Sequence, residues 1–192
     1  DVQPADLLGL EVGFRLVPLV DKANGGELLA RIRGVRRKLS TELGFLVPAV
    51  HIRDNLELSA NAYRVSLAGV AVGDGTVYPD RELAINPGRV FGKPPGIEVR
   101  DPAYGMEAIW IDPVRREQAQ SFGYTVVDAS TVIATHLSHL VQSHAHELLG
   151  HEETQQLLNG LAKTAPRLIE DLVPKTLPLS TVVRVLQGLL SE

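Results

Sequence analysis

Ser130 marks a change of hydrophobic period that limits what this chain can fold into. Before it, short apolar runs of period two alternate with glycine- and proline-rich turns and two stretches of helical spacing; beyond it a 3.6-residue period takes over and persists. The pattern predicts an α/β part followed by a helical part.

In Leu10-Glu11-Val12-Gly13-Phe14-Arg15-Leu16, apolar residues alternate with polar or small ones, the mark of a strand with one buried face, which Pro18 ends or places at an edge. After the turn signal Asn24-Gly25-Gly26, Leu28, Leu29, Ile32, Val35 and Leu39 recur at helical spacing and Gly44 closes the helix. Residues 45–52 follow as a second strand broken by Pro48, giving a β-α-β unit. Residues 63–78 hold two β-rich runs, with Gly69 and Gly73-Asp74-Gly75 as turn chemistry. Between Leu83 and Arg100, glycine and proline concentrate in a shaped loop. Ala108-Ile109-Trp110-Ile111 is a short buried strand, with Trp110 packed in a core. Asp112-Pro113 then caps a helix that Gly123 ends, and residues 124–127 form another strand, making a second small β-α-β unit. Ile133, Leu137, Leu140, Val141 and Leu148 stripe a long helix reaching Gly150, and residues 152–162, 166–173 and 179–190 continue as shorter helices.

Charge and composition narrow the function. With 19 Lys plus Arg against 23 Asp plus Glu the net charge is -4, so there is no basic excess for a nucleic-acid backbone. Without cysteine, disulfides, thiol nucleophiles and thiolate metal sites are excluded. No apolar run approaches the ~18 residues of a membrane helix, and no signal peptide is legible. A start at Asp1 rather than Met is the expectation for an excised piece of a longer protein. Arg31, Arg33, Arg36, Arg37 and Lys38 read as the solvated face of their helix.

Five of the six histidines fall between His136 and His151. His146 and His151 are five residues apart, so about 100° per residue puts them on different faces and the zincin pattern fails. His136, His139 and His146 are expected on one polar face without a fixed carboxylate, and His144 on the apolar stripe as a partly buried neutral imidazole. A histidine-based metallohydrolase is the reading left from an enzymatic class. No phosphate loop or nucleophile elbow is legible: Gly92-Lys93 precedes Pro94-Pro95, which lack the amide donors a phosphate cradle needs. Chemistry alone leads to an α/β binding module, with Arg100-Asp101-Pro102-Ala103-Tyr104-Gly105 as a compact recognition-type loop.

Several strings then occur in a familiar order: Leu8-Gly9-Leu10-Glu11-Val12-Gly13, Pro48-Ala49-Val50-His51-Ile52-Arg53-Asp54-Asn55, Leu83-Ala84-Ile85-Asn86-Pro87-Gly88, Asp101-Pro102-Ala103-Tyr104-Gly105, Ala108-Ile109-Trp110-Ile111 and Ala134-Thr135-His136-Leu137. Together they resemble the cytoplasmic region of the FHIPEP family, the FlhA, LcrD and InvA type of export-gate proteins serving flagella and virulence injectisomes. Tyr124-Thr125-Val126-Val127-Asp128-Ala129-Ser130 and Leu172-Val173-Pro174 look flagellar.

The resemblance implies an α+β multidomain architecture. Its parts are an α/β first domain over 1–79 and 129–149, a small inserted β-α-β domain over 80–128, and a truncated helical domain over 150–192. It implies no catalysis, no cofactor, no metal and no nucleic acid. The implied partners are flagellar export chaperones with their substrates, other export-apparatus proteins, and further copies in a nonameric ring. The implied location is the cytoplasmic face of the bacterial inner membrane, below a membrane part that precedes this region in the family. The family's chaperone-docking dimple carries over onto Asp101, Tyr104 and Thr135, with Val127 and Val132 as walls. Tyr104 stands where the flagellar pattern usually has Phe, and its hydroxyl must stay hydrated or paired, since unsatisfied burial costs ~1–3 kcal/mol.

Overall fold

The computed structural model describes residues 7–148 of the 192. The chain divides into two compact units, Asp1–Val35 with Ala49–Leu140, and Arg36–Pro48 with Val141–Glu192.

In the larger unit, strands β1 (Leu8–Val12), β2 (Val50–Asp54), β3 (Ala62–Leu67) and β4 (Val70–Thr76) form a sheet of order β2-β1-β3-β4. β1 and β2 run parallel, joined through helices α1 (Val17–Val20) and α2 (Glu27–Leu43), so the expected β-α-β unit forms. Period two sorts the sheet's faces. Leu8, Leu10 and Val12 are buried on one side with Tyr63, Val65 and Leu67, as are Leu28 and Ile32 of α2. On the other side Glu11 lies in register with Arg53 on one neighbour and Arg64 on the other. The Arg53 hydrogen bonds lead in holding the Glu11 carboxyl below its ordinary range, aided by Asn55 and Arg64 against the opposing effect of burial.

Three local expectations change. β1 stops at Val12, and Pro18 sits in the first turn of α1, where a missing N–H leaves no bond unmade. β2 starts at Val50, beyond Pro48. The β3–β4 hairpin turns on Ala68 and Gly69 (φ 51° and 81°), whereas Gly73-Asp74-Gly75 lies inside β4. A Cβ on Gly73 would come within 2.6 Å of Leu140, and one on Gly75 within 2.6 Å of the Tyr63 hydroxyl. These glycines allow a close approach rather than a turn.

The second sheet comprises β5 (Glu82–Ile85), β6 (Ile97–Arg100), β7 (Glu107–Ile111) and β8 (Thr125–Asp128) in the order β6-β7-β5-β8, with every neighbouring pair antiparallel. β7 and β8 are linked by α3 (Arg116–Ser121) but separated by β5, so the second β-α-β is a split one. β6 is a strand that the glycine- and proline-rich pattern concealed. Asp112 accepts the Val114 amide at 3.0 Å ahead of α3, the cap read from Asp112-Pro113. Ala84, Ile109, Ile111 and Val126 pack against Ala119 of α3. Helix α4 (Ala129–Ser143) follows β8 directly, and a break at His144 precedes α5 (Ala145–Leu148).

In the smaller unit Arg36 donates to the carbonyls of Pro48 (2.9 Å) and Val47 (3.1 Å), and Ser40 accepts the Val47 amide at 2.9 Å. Arg36 is thus committed to the backbone rather than free on a solvated face. The expected helices from 152 onward lie outside the described residues, and no helix among the described ones is long and apolar enough to cross a membrane.

Candidate functional site

The face of the second sheet opposite α3 carries Leu83 and Ile85 of β5 beside Thr125 and Val127 of β8, with Leu83 paired to Val127 and Ile85 to Thr125. These four side chains share a face by strand alternation. They floor an apolar hollow of about 310 Å³, walled by Thr131, Val132 and Thr135 of α4 on one side and by Asp101, Ala103, Tyr104 and Met106 on another. Asp101, Tyr104, Val127, Val132 and Thr135, the five residues named from the resemblance, all border it. The volume is near the lower end of the ~300–1,000 Å³ range of ligand sites, enough for one or two apolar side chains.

Asp101 shapes one wall of this hollow. It is 5% exposed; its Oδ2 accepts the Tyr104 amide at 2.9 Å and its Oδ1 the Met106 amide at 2.6 Å. The Asp101 amide donates to the Met106 carbonyl (2.8 Å), the Gly105 amide to the Asp101 carbonyl (2.9 Å), and Arg100 to the Gly105 carbonyl (3.0 Å). Gly105 supplies the left-handed φ of 70° that the turn requires. The carboxylate therefore holds the loop that carries Tyr104. Tyr104 itself is 63% exposed, its ring edge-on to His139 at 5.1 Å between centroids and 61° between planes.

The helical wall is anchored by Asp128, which accepts the Thr131 amide at 2.8 Å and binds Arg31 of α2 at 3.1 Å. Burial raises its carboxyl pKa, but the Thr131 hydrogen bonds and the Arg31 charge outweigh that and leave it below the usual value. Sequence reasoning passed over Asp128 as a cap; the signal was an Asp three residues before a Thr at the start of a helical period.

His136 corrects a second expectation. It is 5% exposed rather than part of a polar face, and its Nδ1 meets the Tyr63 hydroxyl at 2.6 Å with the rings edge-on. Burial, then the neighbouring His139 charge, lowers its pKa, against the opposing pull of Asp74 and Asp101. Burial pushes the Tyr63 hydroxyl up. Among the described residues no three His, Asp or Glu side chains converge as a metal site would require.

Chemically, the hollow offers apolar floor and wall, one exposed aromatic ring, and threonine hydroxyls at its margin. That is a seat for an apolar anchor. The fold is similar to that of solved cytosolic domains from type III secretion systems. The Chlamydia pneumoniae CdsV protein, solved in complex with CdsO, is similar with a TM-score of 0.77 at 21% identity, covering 99% of this chain and 60% of that one. Nonameric SctV-C from EPEC is similar with a TM-score of 0.62 at 19% identity, covering 99% and 56%.

The FHIPEP family model matches residues 1–192, and the chain belongs to that family. It is 55% identical over 192 residues to the flagellar biosynthesis protein FlhA of Escherichia coli K12, covering all of this chain and 28% of that protein. The chain thus spans little more than a quarter of that relative's length.

Proposed function

We propose that this chain is a docking part of a flagellar type III export gate. In this reading it receives export chaperones carrying their substrates in the hollow between loop 101–106, β5, β8 and α4. One observation carries the reading: five residues spread over 35 positions of sequence border a single, largely apolar recess. Tyr104 is the aromatic contact, Val127 and Val132 receive the partner's apolar anchor, Thr135 offers a hydroxyl at the rim, and Asp101 keeps the loop in shape. Burying roughly 100 Å² of anchor at ~25 cal/mol/Å² contributes about 2.5 kcal/mol, the scale of an interface hot spot. The work is binding and release, with no covalent step.

The identity to a flagellar relative favours the flagellar system over the injectisome one, since the injectisome likeness is one of fold. We assign residues 80–128 as an inserted domain; the helical domain expected over 150–192 lies outside the described residues. The whole protein would sit at the cytoplasmic face of the inner membrane and assemble in a ring with further copies, as SctV-C from EPEC is nonameric. The test is calorimetric titration of the 192-residue chain with flagellar chaperone–substrate complexes. Tyr104→Ala and Val132→Ala are each expected to weaken binding at least about fivefold; unchanged affinity in both variants refutes the assignment.

A further inference from the structure

We propose that His139 is the positioning residue for Tyr104 and thereby sets which partners the hollow accepts, an inference that rests on the docking reading above. The loop hydrogen bonds of Asp101 and Arg100 fix the backbone of residues 101–106. They do not choose the rotamer of a side chain that is 63% exposed. That choice is made by the edge-on ring contact at 5.1 Å to His139. His139 follows Thr131 and Thr135 at four-residue steps, so it stands on the face of α4 that walls the hollow, one turn past its rim.

The consequence is geometric. With His139 in place, the Tyr104 ring is tied to α4 and bounds the mouth of the recess on that side. With it removed, the ring is free to sample other rotamers, and a partner must order it on docking. Edge-to-face aromatic pairs and the ordering of one side chain are of similar size, and either corresponds to about a three- to tenfold change in affinity. Bulky apolar anchors, which need the mouth held open, lose most; slender ones lose little. The pair thus acts as a specificity device as well as a source of affinity.

The experiment uses the 192-residue chain, a chaperone–substrate complex as titrant, and tyrosine-ring carbon–proton correlation spectra without titrant. The variants are His139→Ala, His139→Phe, Tyr104→Ala and the double alanine. The expected results are a three- to tenfold loss for His139→Ala with a displaced Tyr104 ring signal, recovery to within about twofold for His139→Phe, and no further loss when His139→Ala is added to Tyr104→Ala. Equal losses in both Tyr104 backgrounds, or an unmoved ring signal in His139→Ala, overturn the proposal. If Tyr104→Ala weakens binding while His139→Ala does not, this inference falls and the docking reading stands. If Tyr104→Ala is neutral while Val132→Ala weakens binding, this inference falls and the docking reading stands; if both are neutral, the docking reading falls and takes this inference with it.

Discussion

Replacing Asp101 with Ala separates two ways in which a carboxylate can serve a binding hollow. If Asp101 met the partner directly, its loss would lower affinity and leave the folded chain as stable as before. In the structure both of its oxygens accept loop amides, at 2.9 and 2.6 Å, and the side chain is 5% exposed. Hydrogen bonds to a charged acceptor contribute ~1.5–3 kcal/mol each, but water can reach the freed amides of an exposed loop, so a net loss of about 2–3 kcal/mol is expected. Asp101→Asn, which keeps one acceptor oxygen, should lose about half as much. Trp110, the sole tryptophan, is buried in β7 of the same sheet, so its fluorescence during urea unfolding reports the change. Chaperone affinity should fall in the same order as stability, Ala below Asn below native. An Asp101→Ala chain that unfolds within about 0.5 kcal/mol of the native midpoint, yet binds poorly, would refute the reasoning.

Four further outcomes follow from other contacts. His136 has a folded-state pKa below its ordinary 6.5, so the unfolded chain takes up its proton first on acidification. Its stabilising contribution is full above that ordinary value and declines as pH falls below it, and His136→Gln should flatten the stability profile there, whereas an unaltered slope contradicts the assignment. Tyr63→Phe removes the partner of a buried imidazole and should destabilise by ~1–3 kcal/mol at pH 7.5, measured by urea unfolding. At the β3–β4 turn Ala68 holds a left-handed φ of 51°, so Ala68→Gly should stabilise by ~0.5–1 kcal/mol; by contrast, Gly96→Ala would set a Cβ 2.7 Å from the Ile109 side chain and against the Trp110 carbonyl, and should destabilise by ~1–3 kcal/mol in the same assay.

Periodicity carried the first β-α-β unit because Leu28, Ile32 and Leu39 repeat on one helical face between two strand-like runs. It carried the Asp112 cap because the signal is local, an Asp followed by Pro. It misjudged Gly73-Asp74-Gly75, since a glycine in a turn and a glycine beneath a packed side chain look alike until Leu140 and Tyr63 are known to lie over them. It misjudged His136 for the same reason: its partner, Tyr63, is 73 residues away. The five hollow residues came from resemblance, not from spacing, because loop 101–106 and α4 meet only in three dimensions. Within the loop, the sequence reading treated Asp101 as a contact for a partner, and only the hydrogen bonds of Tyr104 and Met106 reveal its part in holding the turn. Helical spacing puts His139 on a polar face, and nothing local pairs it with a tyrosine 35 positions earlier.

Methyl-resolved spectra of the 192-residue chain, recorded while a flagellar chaperone–substrate complex is added, address the central claim most directly. The account expects the largest changes at the Val127 and Val132 methyls, with Leu83 and Ile85 following. Saturating binding that leaves those methyls unmoved while shifting residues on the arginine-bearing face of α2 or the exposed face of the first sheet would contradict it.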